Sequence, residues 1–224
     1  MIRLKQGAFE KQMKNLVILT CAVFVKENTV FPTEVRIKQI LLSIESIRRK
    51  VPDSYIVLLE VGSVGEEVVN FLKGLVDEYI CMNVPYLNKN QGEATMMYKY
   101  LSSDSFRQKS SEFASLSKLS GRYFLSDEFD FQRVPLEKPW IKHRFGGRGE
   151  DIYETRYFRM PMSYVQHFYE KYDFFMKNNF QMLDCDDVEH IYVREGFIRK
   201  EDAVCNVKIG VAGWVSGSGD FLVD

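Results

Sequence analysis

Three short segments of this sequence gather the side chains that anion and metal chemistry require. The first is Lys-Leu-Ser-Gly-Arg-Tyr at 118–123. Successive side chains alternate in an extended chain, so Lys118, Ser120 and Arg122 fall on one side. Two cations and a hydroxyl so arranged suit a diphosphate, because Arg offers a planar fork of donors and Lys a mobile point charge. Asp127 and Asp130 follow, in a spacing that can ligate a divalent cation through oxygen or cap a turn. The second segment is Asn-Lys-Asn-Gln-Gly-Glu at 88–93. It sets Lys89, Gly92 and Glu93 at the start of a helix, whose N-terminus and nearby Lys can hold phosphate. The same residues also read as a solvated capping loop, with Glu93 compensating the helix dipole. The third is Glu-Val-Gly-Ser-Val-Gly at 60–65. It puts the Glu60 carboxylate and the Ser63 hydroxyl at a strand end, where glycines permit close backbone approach or make a plain turn.

Several chemistries lack their signatures. There is no Gly-x-Gly-x-x-Gly fingerprint and no phosphate loop, which demotes dinucleotide-dependent redox and simple NTPase readings. His143, His167 and His190 have no zinc-ligand spacing, and no Gly-x-Ser-x-Gly elbow supports a serine hydrolase. The four cysteines contain no Cys-x-x-Cys pair, so they read as reduced cytosolic thiols. With 30 Lys and Arg against 31 Asp and Glu, no chain-wide basic field exists to attract nucleic acid. No apolar run reaches the roughly 18–20 residues of a membrane span, and the first 15 residues are too polar for a secretory signal. The expectation is a soluble, cytoplasmic chain, and 46% hydrophobic residues suffice for a substantial core.

The elements that must hold these segments alternate. Residues 15–25 form a continuous apolar, β-branched run, the mark of a strand covered on both faces. After Pro32, Thr33 can cap a helix in which Ile37, Ile40, Leu41, Ile44 and Ile47 recur at helical spacing. A second strand at 55–60, a helix carrying Val68 to Leu75 and a third strand at 78–82 complete the pattern of a parallel sheet with crossovers. Such sheets bind ligands outside the carboxyl ends of their strands. Residues 92–101 read as helix and 102–111 as helix or loop, and 115–125 contains another strand-like stretch. Strands at 140–145 and 151–159 flank a Gly-Gly-Arg-Gly turn. A long aromatic helix at 161–180, a further helix at 186–193 and a Gly-rich strand region at 207–223 follow.

Arg36 with Ile-Glu-Ser-Ile-Arg at 44–48, Ile-Val-Leu-Leu-Glu at 56–60, Lys89 with Gly-Glu-Ala at 92–94, Lys-Leu-Ser-Gly-Arg-Tyr-Phe-Leu at 118–125 and Glu189-His190 together resemble a group of glycosyltransferase-like proteins. These occur in large DNA viruses and bacterial surface-glycan clusters and are similar to the GT-A class. The likeness spans roughly residues 15–215. It implies an α/β, GT-A-like (Rossmann-like), mostly parallel sheet flanked by helices, as one domain over 1–224. Residues 15–130 would bind the nucleotide sugar and 131–224 would face a carbohydrate acceptor. Thr20, Arg36, Glu60 and Ser63 would surround the nucleoside and sugar, and Lys89, Lys118, Ser120 and Arg122 would address the diphosphate. Gly92, Glu93, Gly121 and Tyr123 belong to the same binding motifs. Glu189, beside His190, would be the base that deprotonates the acceptor. The GT-A Asp-x-Asp is replaced by Ser120-Gly121-Arg122, which leaves two solutions: Arg122 and Lys118 replace a metal's charge, or Asp127 ligates Mn²⁺ or Mg²⁺. A nucleotidyltransferase acting on sugar phosphates and a non-catalytic glycan- or nucleotide-binding module are the alternatives.

Overall fold

The computed structural model describes residues 13–23, 30–62, 65–82, 88–145, 150–184, 186–205, 207–215 and 218–224. Ser63 lies outside them. The chain builds a first strand β1 (Lys14–Cys21), helix α1 (Thr33–Lys50), β2 (Ser54–Val61), α2 (Glu66–Lys73), β3 (Glu78–Met82), α3 (Lys89–Leu101) and the short α4 (Asp104–Lys109). Then come β4 (Phe113–Ser120), β5 (Tyr123–Leu125), β6 (Trp140–Phe145), β7 (Asp151–Pro161), α5 (Met162–Asn178) and α6 (Val188–Arg194). Strands β8 (Val204–Cys205), β9 (Val211–Trp214) and β10 (Phe221–Val223) follow.

Seven strands form one mixed sheet in the order β3-β2-β1-β4-β7-β6-β8. The first four are mutually parallel, as the alternation of apolar strand and amphipathic helix requires, while β7 runs antiparallel between β4 and β6. The result is an α/β architecture with a mostly parallel sheet flanked by helices. Strand β1 is central: every residue from Asn15 to Cys21 is buried, and both faces of the strand are covered. On one face Leu16, Ile18, Val57 and Leu59 pack with Met97 and Tyr100 of α3 and the aromatic cluster Phe158, Phe168, Tyr192 and Phe197. On the other, Val17, Leu19 and Leu58 pack with Ile40, Ile44 and Ile47 of α1 and with Leu125 and Val211. Each such fully buried aliphatic side chain contributes about 1.5–3 kcal/mol.

Three sequence expectations need correction. Pro32, not Thr33, is the N-cap of α1, and no side chain caps that end; Thr33 occupies the first turn. The first strand ends at Cys21 rather than at residue 25. The alternation that would set Lys118, Ser120 and Arg122 on one side of a single extended stretch stops at Ser120: β4 ends there, Arg122 lies in the turn, and β5 leaves the large sheet to pair with β9 in a three-stranded antiparallel sheet, β10-β9-β5. The break falls at Gly121, where a Cβ would lie 2.8 Å from the Cys21 Cβ and 3.1 Å from the Thr20 carbonyl. No helix among the described residues is long and apolar enough to cross a membrane.

Candidate functional site

A cleft of about 220 Å³ opens where β4 ends, bounded by the first turns of α3 and α6 and by β7. Its position outside a carboxyl strand end is the one that parallel-sheet topology favours for ligands. Lys89 and Glu93 of α3, Ser120 at the end of β4, Arg122 just after it, Tyr123 of β5 and Glu189 of α6 all line it. Helix α3 begins there with a true cap, the Asn88 side chain accepting the Gln91 N–H at 3.0 Å. Gly92 is buried in the same turn, its N–H bonded to the Asn88 carbonyl at 3.1 Å.

Beneath the cleft lies Lys118. It sits in register between Ile18 on β1 and Phe158 on β7, on the sheet face packed by α3, and is 1% exposed. Its ammonium donates to Glu93 Oε1 (2.6 Å), Ser120 Oγ (2.7 Å) and the Thr155 carbonyl (2.7 Å). An ammonium has three N–H donors, and all three are used. Burial lowers the lysine's pKa, while the carboxylates of Glu93 and Glu189 oppose that shift. The sequence expectation of an Lys118 ammonium on the ligand therefore meets a side chain that supports the cleft from below.

Arg122 and Lys89 stand differently. Both line the cleft, and neither side chain has an ion-pair or hydrogen-bond partner among the described residues. The Arg122 backbone is rigidly placed. Its carbonyl accepts the Trp214 N–H at 3.2 Å, and a Cβ on Gly213 would lie 2.3 Å from that same oxygen. Two cations without a partner among the described residues, one of them in the first turn of α3, make this part of the cleft receptive to an anion.

Part of the lining comes from residues the sequence reading missed. Glu154 forms ion pairs with Arg144 (2.8 Å) and Arg156 (2.9 Å), and all three line the cleft. The Arg156 guanidinium also stacks 5.6 Å from the Tyr123 ring centroid. The signal was present: on β6 and β7, Lys142 with Arg144 and Glu154 with Arg156 alternate, so each pair shares a face. Glu189 Oε1 accepts the Thr155 hydroxyl at 3.3 Å, which orients the carboxylate at the cleft wall.

Other expected site residues are gathered elsewhere. Glu60 is fully buried at the end of β2, in register with Cys21. It shares the α1 face of the sheet with Cys21, away from Lys118. Its oxygens accept the Val23 N–H (2.7 Å) and the Cys21 thiol (2.6 Å). Burial raises its carboxyl to about 7, against the opposing effects of Cys21, Val23 and Arg36. Arg36 donates to the carbonyls of Ala22 (2.9 Å) and Phe31 (3.3 Å), so it holds together the two ends of the segment that follows β1. Thr20 is in register with Ser120, and its buried hydroxyl has no hydrogen-bond partner among the described residues. His190 lies between Glu150 (3.5 Å) and Asp186 (3.4 Å) and is not part of the cleft lining.

Asp127 is remote from this assembly. It is exposed and faces Arg49 (3.2 Å) and Lys50 (3.8 Å) at the C-terminus of α1, the opposite end of that helix from the carboxyl edge of the sheet. Among the described residues, no three His, Cys, Asp or Glu side chains converge in a way that could hold a metal ion. The described residues therefore do not fit the divalent cation that the Asp127 reading required. No protein-family model matches this sequence, and no curated protein is significantly similar to it.

Proposed function

We propose that this chain is a nucleotide-sugar-dependent glycosyltransferase of GT-A-like fold that moves one sugar onto a carbohydrate acceptor. The observation that carries the reading is the pair of cleft cations without a protein partner among the described residues, Lys89 and Arg122, lining the same cavity as the Glu189 carboxylate. The resemblance of the 118–125 segment to glycosyltransferase-like proteins supplies the reaction class, and the cleft's place at a carboxyl strand end agrees with it.

In this reading Lys89 and Arg122 grip the diphosphate and neutralise the charge that builds on it as the glycosidic C–O bond breaks. Fixed cations aimed at the leaving group need no reorganisation during the reaction. Glu189, held by Thr155 through one oxygen, keeps the other for the acceptor hydroxyl. The acceptor oxygen bonds to the anomeric carbon, its proton passes to Glu189, and the nucleoside diphosphate departs.

The experiment is incubation with a panel of nucleotide sugars and oligosaccharide acceptors, with free nucleoside diphosphate as the readout. Release that depends on acceptor and falls at least a hundredfold in Glu189→Gln is expected, within the usual range for loss of a general base. Release unaffected by that substitution would remove Glu189 from the reaction, and no release with any donor would overturn the reading.

A further inference from the structure

Lys118 presents an unusual combination: a lysine embedded in the apolar face of a central sheet, with every N–H donor committed to the protein. The consequence for Ser120 is a matter of hydrogen-bond polarity. A serine hydroxyl has one proton and two acceptor lone pairs. The Lys118 ammonium has no lone pair, so at 2.7 Å it can only donate to Ser120 Oγ. Ser120 must then send its own proton elsewhere. The Lys118 contact is its one side-chain hydrogen bond among the described residues, and Ser120 lines the cleft.

We infer that Lys118 is a positioning residue that locks the Ser120 hydroxyl as a donor into the cleft, selecting an oxygen that only accepts, that of an ionised phosphate. This rests on the proposed nucleotide-sugar reading and deepens it: Ser120 joins Arg122 and Lys89 as a third donor to the diphosphate. Donation by a charged neighbour polarises the serine O–H, which strengthens the bond it makes in turn. The geometry also rejects groups that must donate at that point. A sugar hydroxyl there can serve as acceptor but gains no charge-assisted bond, whereas a phosphate oxygen gains one. Glu93 completes the device, because its carboxylate holds the ammonium from the α3 side at 2.6 Å and balances its charge, leaving the pair neutral in the sheet.

Inorganic pyrophosphate is the probe, titrated by calorimetry into the full chain and into Ser120→Ala and Ser120→Thr. Ser120→Ala is expected to weaken pyrophosphate about tenfold, or about 1.4 kcal/mol. Ser120→Thr, which keeps the hydroxyl, should restore affinity to within about threefold. A second readout is the Lys118 ammonium itself in lysine-¹⁵N spectra. It should give a signal protected from solvent exchange that stays protected at saturating pyrophosphate and shifts in Ser120→Ala. Unchanged pyrophosphate affinity in Ser120→Ala overturns the inference, as does a wild-type protein that binds no pyrophosphate. A wild type that binds pyrophosphate through Ser120 but turns over no nucleotide sugar overturns the transferase reading alone.

Discussion

Replacing Glu60 by Gln should remove a pH dependence that the wild-type fold carries between about pH 4.5 and 8. The side chain is wholly buried at the end of β2, and its two oxygens accept the Val23 N–H and the Cys21 thiol at 2.7 and 2.6 Å. Burial is the largest influence on it and lifts its carboxyl from 4.5 to about 7. In the unfolded chain the group returns to its ordinary value, so the folded state holds the proton more tightly. The sign follows: the stabilisation is complete below about pH 4.5, erodes as pH rises, and is gone once pH passes about 7. At 1.36 kcal/mol per pKa unit the difference amounts to about 3 kcal/mol. A glutamine cannot ionise, yet its carbonyl oxygen can still accept the Val23 N–H. Urea denaturation of both proteins at several pH values across this range gives the test. The stability of the wild type relative to Glu60→Gln should fall by about 3 kcal/mol from the acid to the alkaline end. A difference that stays constant with pH would refute the claim that Glu60 is strained by burial.

Three other outcomes follow from the same contacts. Arg122→Ala should weaken nucleoside diphosphate binding at least tenfold, since bonds to charged groups are worth about 1.5–3 kcal/mol, while unfolding shifts by less than about 0.5 kcal/mol because no partner among the described residues is lost. Lys118→Met should cost about 3–5 kcal/mol in urea denaturation, as removing one partner strands the Glu93 carboxylate near the sheet; a cost under about 1 kcal/mol would contradict the buried pair. Gly213→Ala places a methyl 2.3 Å from the Arg122 carbonyl, a backbone clash expected to destabilise by about 1–3 kcal/mol and to displace Arg122, so that binding and melting temperature fall together.

The parallel half of the fold was readable because β1 and β2 are covered on both faces, and a continuous apolar run has few other homes. The end of β4 at Ser120 was not readable. It depends on how closely Gly121 approaches Cys21 and how closely Gly213 approaches Arg122, contacts between residues far apart in sequence. Lys118 illustrates the same limit from the side of charge. A lysine at an alternating position reads as a ligand contact, and only the convergence of α3, β4 and β7 around it reveals three internal acceptors. Arg144, Glu154 and Arg156 escaped notice because short strands of mixed charge resemble solvent-facing edges; their pairing across β6 and β7 turns them into a wall. Glu60 was recognised as a strand-end carboxylate, but its commitment to Val23 and Cys21 is a tertiary fact.

The central claim is that the cleft between α3, β4, β7 and α6 binds a nucleotide-activated sugar with protein cations in place of a metal. Isothermal titration of nucleotide sugars and nucleoside diphosphates in the presence of a chelator tests it most directly, with Arg122→Ala in parallel. Saturable binding of at least one donor is expected, persisting without divalent cations and weakening at least tenfold in Arg122→Ala. Binding that vanishes in chelator, or that is indifferent to Arg122, would contradict it.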